Sequence, residues 1–408
     1  MHMNTTSKIN FRYLHNKVFF VSLLFVALLA SSCLTSIFSS GVSPFVLGAS
    51  DKTVSNEVEL RSAVNNAVGS TVIALNNDIT LTEQLVIPVG KDITLTSTST
   101  SKFFKLIGGG ARTTLGPGEY PDAVITVEAG GVLWLDGIVV TSVNNAIAWN
   151  KLVRVSGSGT LIMYDGEISG NSNGDGVVNS GMFEMYGGKI SNNNANAGYG
   201  GGVYNSESGT FSMFGGEISD NTGFGVYNRG TYNQGWSYGT FNLYGGVISN
   251  NDVGGVSNSG IFSMSGGEIS NNLGGNTLQS GGGVSNSGIF NMSGGVISNN
   301  QATKGGGVYN WPDGEFSLSE KGVISNNNAE VGGGVYNAGT FNRRGGVISD
   351  NTAAQYSDIY SSDDSTTTDE DNNTADYTVI IVSIVVSVII IVGGVFLYFR
   401  KRTKAVTT

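Results

Sequence analysis

The feature that most constrains this chain is a repeat. GGGVSNSGIFNMSGGVISNN, Gly281 to Asn300, returns as GVVNSGMFEMYGGKISNN from Gly176, GGVYNSESGTFSMFGGEISDN from Gly201, GVSNSGIFSMSGGEISNN from Gly255 and GVYNAGTFNRRGGVISDN from Gly334. The valines that mark successive copies (Val177, Val203, Val226, Val256, Val284, Val308, Val335) stand 23 to 30 residues apart. A period in that range marks a solenoid, in which each copy buries its apolar face only against its neighbours.

Within one copy three short runs alternate with period two: Val284-Ser285-Asn286, Ile289 to Met292 and Val296-Ile297-Ser298, each closed by Gly, Asn or Ser. Helices need longer uninterrupted patterns than the glycines between these runs allow. Each copy therefore predicts one triangular turn of a parallel β-helix, with strands stacked about 4.8 Å apart and roughly 10 to 12 coils in a rod about 50 to 60 Å long. Phe183, Phe211, Phe241, Phe262, Phe290, Phe316 and Phe341 form one inward column. Met185, Met213, Leu243, Met264, Met292 and Leu318 follow two residues later on the same face. Ile168, Ile190, Ile218, Ile248, Ile269, Ile297, Ile324 and Ile348 supply another wall, and the Ser, Asn, Glu and Lys residues between are expected to face solvent.

Two asparagine columns run beside these. Three residues after each Ile stand Asn171, Asn193, Asn221, Asn251, Asn272, Asn300, Asn327 and Asn351. Two residues after each Val stand Asn179, Asn205, Asn228, Asn258, Asn286, Asn310 and Asn337. An amide neither titrates nor ligates metals strongly, so these read as structural: Asn tolerates left-handed backbone at a corner and hydrogen-bonds the same amide in the next coil.

The chain holds 61 Gly and 5 Pro, which fits many tight turns rather than collagen or a stiff linker. Seven of its 21 basic residues lie in the first 50 positions or after Phe399, where none of its 31 acidic residues lies. The part between is strongly acidic, which argues against nucleic acid or anionic lipid as its ligand. Cys33 is the single cysteine, so no internal disulfide forms and stability must come from stacked strands.

Residues 1–49 read as an export signal, with Lys8, Arg12, His15 and Lys17 ahead of the apolar run Val18 to Ala30. The cut falls after Ala30-Ser31-Ser32 or near Gly48-Ala49; the first would leave Cys33 at a lipoprotein-like position, though Ala30 stands where that motif prefers Leu, Val or Ile. Residues 50–150 form an N-terminal cap and the first coils. Asn56 to Val68 predicts a short amphipathic helix with Val58, Ala63, Val64 and Ala67 on one face, laid over the open end of the solenoid. Residues 151–352 carry the Gly/Asn-rich repeats, and Arg343 and Arg344 in a core column predict the last coil near Asn351. Residues 353–377 read as an acidic, disordered spacer, because Ser361 to Thr374 holds a run of acids and no apolar residue. Residues 378–399 include an uncharged apolar run long enough to cross a bilayer, and 400–408 begin with RKRTK, which predicts a cytoplasmic tail and a single-pass type I topology.

Candidate chemistry is sparse. From Gly176 to Asn337 the cations are Lys189, Arg229, Lys304 and Lys321, each in a different coil, so a uronate lyase lacks a basic cluster. Glu167, Glu217 and Glu268 share an outer column interrupted by Lys189 and Val247, which does not give a hydrolase its paired carboxylates. Asp220 and Asp350 read as corner formers, His2 and His15 both lie in the signal, and neither a metal nor a cofactor is expected. Tyr204, Tyr227, Tyr309 and Tyr336 stand between Val and Asn and are expected to point outward, as are Tyr164, Tyr186, Phe214 and Tyr244. They serve either as cross-strand packing pairs or as a surface for sugar rings. The insertion RGTYNQGWS, Arg229 to Ser237, carries Tyr232 and Trp236 and is the best single candidate for a contact loop.

The phrases GTFSMFGGEISDN and GGGVYN, with the opening VELRSAVNNAVGSTVIALNNDITLTEQLVIPVGKDITLTS, resemble the adhesin-like right-handed parallel β-helix surface proteins of the pectin-lyase-like superfamily over residues 55 to 351. GGVI/GGEI and ISxN resemble, more distantly, the repeats of the polymorphic outer-membrane proteins, but no C-terminal barrel follows and Asn does not stand three residues after the Phe column. The resemblance implies a right-handed, all-β solenoid displayed at a cell surface for contact with a host, neighbouring cells or glycans. A surface polysaccharide lyase or hydrolase, and a passive coat or spacer, are the alternatives, because this fold hosts all three. The expected partners are the membrane, through one span, and glycans or surface proteins.

Overall fold

The computed structural model describes residues 52–109, 123–143, 151–195, 200–231, 237–274, 281–362 and 365–369. Residues 1–49, expected as an export signal and containing Cys33, the apolar run Val379 to Phe399 and the basic tail lie outside them. Among the described residues no helix is long and apolar enough to cross a membrane.

The chain is an all-β parallel solenoid that cycles through three sheets of 13, 11 and 11 strands. Ile289–Met292 belongs to the first, Val296–Ser298 to the second and Val284–Asn286 to the third. Neighbours in each sheet are the same strand of successive copies, in parallel register: Phe262 opposite Phe290 opposite Phe316, Ile269 opposite Ile297 opposite Ile324, and Val256 opposite Val284 opposite Val308. Strands of three to five residues cannot form a stable sheet alone, so the backbone ladder between copies and the enclosed core must hold each coil.

The core is a stack of identical residues. The seven Phe rings from Phe183 to Phe341 are fully buried, with successive centroids 4.6 to 5.0 Å apart and planes within 10°. In the first coils Leu133 and Leu161 occupy the same column, so the rings begin where Leu161 meets Phe183. The residue two further on, Met or Leu, and the Ile and Val columns close the cross-section.

Each corner has its own chemistry. Between the first and second sheets stands a Gly pair whose second member is left-handed, as at Gly295 (φ 85), where an added Cβ would meet the Met264 Cε at 2.5 Å. Between the second and third, Asn192, Asp220, Asn250, Asn271, Asn299, Asn326 and Asp350 take φ of 55 to 59°. These stand one residue before the ladder asparagines. The two tasks expected of one Asn are therefore divided: the first of the pair makes the left-handed turn, and the second turns its amide inward to stack. Asp220 and Asp350 are corner formers as the sequence predicts, because a short polar side chain tolerates that region.

The inward amides form two continuous ladders. In one, Asn193 Nδ2 donates to Asn221 Oδ1 at 3.2 Å, and the series continues through Asn251, Asn272, Asn300 and Asn327 to Asn351 at 2.9 to 3.0 Å. The same oxygens also accept the backbone N–H of the preceding Asn, as Asn171 N donates to Asn193 Oδ1 at 3.2 Å. In the other, at the corner between the third and first sheets, Asn179, Asn205, Asn228, Asn258, Asn286, Asn310 and Asn337 are joined by Nδ2 to Oδ1 bonds of 2.8 Å. A buried amide left unpaired is costly, and no buried side-chain nitrogen or oxygen among the described residues lacks a partner.

Several expectations are corrected. The serine after each core Ile does not face open solvent: Ser191, Ser219 and Ser270 are buried. The corner side chain folds back over it, as Asn192 Nδ2 donates to Ser191 Oγ and Ser219 Oγ donates to the Asp220 carboxylate. The helix is present as Glu57–Asn65, but it buries Leu60, Ala63 and Val64 while Val58 is 78% exposed. Asn56 caps its N-terminus, accepting Glu59 N at 3.0 Å, and Lys91 Nζ donates to the carbonyls of Asn65, its last residue, and of Ala67 just beyond it. Glu57 accepts Thr82 N, and Arg61 donates to the Gln84 carbonyl, tying the helix to the first coil.

The strands also continue past Asn351 into the segment expected as spacer. Ile359–Ser361 pairs with Val335–Asn337, and Thr366–Asp369 pairs with Thr340–Arg343. The reason is that Ile359, opposite Val335 and packed against the core, extends the Val column by one coil, while β-branched Thr and the backbone ladder suffice in the first sheet, where Thr367 lies opposite Phe341. Arg343 remains half-buried and donates to the Gly345 and Gly346 carbonyls, which gives its guanidinium partners at the thinning end of the core.

Candidate functional site

The outward aromatic residues are assembled into stacks. Tyr204 and Tyr227 lie 5.4 Å apart with planes 12° from parallel, and Tyr309 and Tyr336 lie 4.9 Å apart at 6°. A longer row runs along the first sheet: Trp134, Tyr164, Tyr186, Phe214 and Tyr244, at 4.8 to 5.9 Å and within 14° of parallel. Rings stacked face to face occupy one another's faces and present their edges outward, whereas a sugar ring stacks on a face. The geometry thus favours cross-strand packing for these columns.

Tyr309 departs furthest from expectation. It is only 5% exposed, because Trp311 packs edge-on against it at 4.8 Å. Trp311 Nε1 also donates to Ser285 Oγ at 3.0 Å, which covers a serine expected on the open surface. Trp311 belongs to the turn WPDG found in one copy alone, so the repeat pattern carries no signal for it. Tyr336 is half-buried, with the Lys304 ammonium 5.0 Å from its ring centre. Tyr204 hydroxyl accepts from Arg229 at 2.7 Å, and Arg229 also pairs with Glu207 at 2.8 Å.

The insertion after Asn228 opens as an antiparallel stem, Gly230 opposite Tyr238 and Thr231 opposite Ser237, closed by Gly239 N donating to the Arg229 carbonyl at 2.7 Å. Tyr232 and Trp236 lie outside the described residues. The stem sets this insertion apart from the coils, because its pairing is antiparallel while the three main sheets are parallel.

The charged residues are spread along the rod. Glu167, Lys189, Glu217, Val247 and Glu268 succeed one another in register on the second sheet, and Lys189 bridges Glu217 at 3.1 Å and Asp220 at 3.2 Å. These pairs stabilise neighbouring coils modestly and leave the carboxylates without a shared substrate position. No group of three His, Cys, Asp or Glu among the described residues is arranged to hold a metal.

Among the described residues Asp175 is the one carboxyl displaced far from its usual range. Burial pushes it up to about 7, against the opposing pull of the Gly201 N–H, 3.0 Å from Oδ1, and of Lys151, its register partner. The same burial lowers Lys151. A Cβ on Gly200 would fall 2.0 Å from that Asp175 oxygen, so only Gly permits the contact.

A groove of about 670 Å3 lies beside the asparagine ladder of the later coils, lined by Asp252, Leu273, Gln301, Thr303, Asn328 and Glu330 among others. Its floor is a row of extra parallel contacts, Leu273 to Gln301 to Asn328, continuing as strand Asn328–Val331 paired with Thr352–Gln355. Sequence reasoning misses it because its residues follow the ladder in segments whose sequence differs in every copy.

Comparison with protein-family models, with curated proteins and with solved structures found no match for this chain.

Proposed function

We propose that this chain is a cell-surface protein held by one C-terminal span in type I orientation, whose β-helix rod presents contact surfaces in the adhesin-like manner. In this reading the solenoid is right-handed, as parallel crossovers nearly always are, and belongs with the pectin-lyase-like folds. The helix Glu57–Asn65 serves as the lid of its first coil, a role supported by its ties through Glu57 and Arg61 to that coil.

The observation that carries the reading is the hairpin stem at Gly230 and Tyr238. Along the rod, amides are committed to ladders, rings to stacks and Lys189 and Arg229 to ion pairs, so the polar chemistry supports a scaffold. The antiparallel stem interrupts that scaffold, and the sequence between its two strands carries Tyr232 and Trp236, residue types that dominate contact energy. The partner would be a protein or glycan of an opposing surface, with the acidic rod favouring one that is not strongly anionic.

The test replaces residues 232–236 by Asn-Gly, a turn suited to the two-residue hairpin, in the soluble ectodomain. Circular dichroism should remain unchanged and attachment to the natural target surface should fall at least about tenfold, the order expected for losing one aromatic hot spot. Full attachment by the folded variant would remove the hairpin from the account, and depolymerisation of uronate polymers by the parent would replace the contact reading with an enzymatic one.

A further inference from the structure

The described coils contain many asparagines, and almost all are consumed by the architecture. None of the ladder residues heads the tripeptide Asn-x-Ser/Thr that directs N-glycosylation: Asn286 is followed by Ser-Gly, Asn300 by Gln-Ala and Asn351 by Thr-Ala. The tripeptide occurs once within the described residues, at Asn291-Met292-Ser293; Asn4 and Asn372 head the other two in the chain.

Asn291 differs structurally from its equivalents. It lies in strand Ile289–Met292 of the first sheet with its side chain exposed, between Phe290 and Met292, which point into the core. The outward asparagines of the same column are engaged: Asn242 Nδ2 donates to Ser212 Oγ at 3.4 Å, and Asn342 accepts Thr368 Oγ1 at 2.8 Å. The Asn291 amide makes no hydrogen bond among the described residues. Its surroundings are also open. Two residues further along each strand, Tyr164, Tyr186, Phe214 and Tyr244 cover the sheet in earlier coils, but Ser265 and Ser293 replace them here, and both serines are exposed.

We propose that Asn291 is an N-glycosylation site of the displayed rod, a proposal that rests on the surface reading above. The sugar donor is an oligosaccharide linked through phosphate or diphosphate to a membrane lipid, and the transferase is the membrane enzyme that serves exported chains. The Asn291 amide nitrogen bonds to the anomeric carbon of the first sugar, the carbon–oxygen bond to the lipid phosphate breaks, and the phosphate departs with the electron pair. The amide N–H proton passes to a base of the transferase. Addition at an exposed amide leaves both ladders intact. Addition at a ladder amide would remove a buried donor, which is consistent with the tripeptide falling where it does. The glycan would cover the open serine face beyond Tyr244, where the row of rings ends.

The experiment uses the full chain purified from cells that naturally express it. Its glycopeptides are weighed for the parent and for Asn291→Gln, Ser293→Ala and Ser293→Thr, while limited proteolysis of intact cells reports whether the chain is outside. Glycan mass on Asn291 is expected in the parent and in Ser293→Thr, with complete loss in Ser293→Ala and Asn291→Gln. Bare Asn291 in a chain that proteolysis finds outside overturns this proposal and leaves the surface reading standing. A chain protected until the cells are opened overturns both.

Discussion

Asn258 donates through Nδ2 to Oδ1 of Asn286 at 2.8 Å, and Asn286 donates in the same way to Asn310 at 2.8 Å. The amides are fully buried and each extra coil both uses and renews the pattern, so the ladder works as a register device. A one-residue slip would bring Ser285, Ser287, Tyr309 or Trp311 opposite a ladder amide and strand it. Asn286→Ala removes the donor to Asn310 Oδ1 and to the Gly288 and Glu315 carbonyls. At about 1–3 kcal/mol for each buried group left unpaired, a loss of at least about 2 kcal/mol is expected in urea unfolding of the solenoid. Asn286→Asp should cost more, since it sets a second acceptor against Asn310 Oδ1 and buries a charge. A ladder substitution as mild as Ser263→Ala on the outer face, expected within about 0.5 kcal/mol, would show that the amides are dispensable.

The Phe column and the Trp311 turn call for different magnitudes. Phe290→Ala opens a cavity between Phe262 and Phe316 and should destabilise by about 3–5 kcal/mol. Ser285→Ala removes the acceptor of Trp311 Nε1 and should cost about 0.5–1.5 kcal/mol, the net worth of one hydrogen bond. Trp311→Ala should in addition expose Tyr309, seen as quicker iodination or nitration of that ring. An unchanged Tyr309 reactivity would contradict its burial by Trp311.

These two residues show where the sequence stops being informative. Phe290 and Asn286 are legible because each recurs in every copy and the period fixes which way it points. Ser285 has the outward parity correctly assigned, yet it is covered, because burial there is decided by a tryptophan from a turn that occurs once. The helix tells the same story: its apolar residues are visible, but the bound coil selects Leu60 over Val58 as the buried neighbour of Ala63 and Val64. The end of the solenoid was misplaced because Arg343 breaks the Met/Leu column, whereas Ile359 extends the Val column opposite Val335 and Thr366–Asp369 pairs through backbone and β-branched side chains. The groove beside Leu273 and Gln301 depends on segments whose sequence differs from copy to copy. The hairpin was legible as an insertion, and its antiparallel stem was not.

Asp175 gives stability a pH dependence of definite sign. Its folded value, about 7, lies above its ordinary 3.8, so between these values the folded state holds the proton that the unfolded chain releases. Its contribution is greatest below about pH 4, declines as pH rises toward 7 and is constant beyond. The slope cannot exceed about 1.4 kcal/mol per pH unit, and access of solvent to this half-buried group lowers it. Asp175→Asn keeps an oxygen for the Gly201 N–H and removes the titration, so the difference in stability between parent and variant should move in the variant's favour from pH 4 to pH 7. A difference independent of pH in that window would contradict the raised carboxyl.

The central claim, that the rod stands outside a membrane which the chain crosses once, is tested most directly by labelling intact cells with a membrane-impermeant amine reagent. Lys105 and Lys321 are exposed on the solenoid, while Lys401 and Lys404 follow the apolar run. The account predicts that peptides containing Lys105 and Lys321 are labelled on intact cells and that Lys401 and Lys404 react only after permeabilisation. Protection of the solenoid lysines in intact cells, or labelling of the tail lysines there, would contradict it.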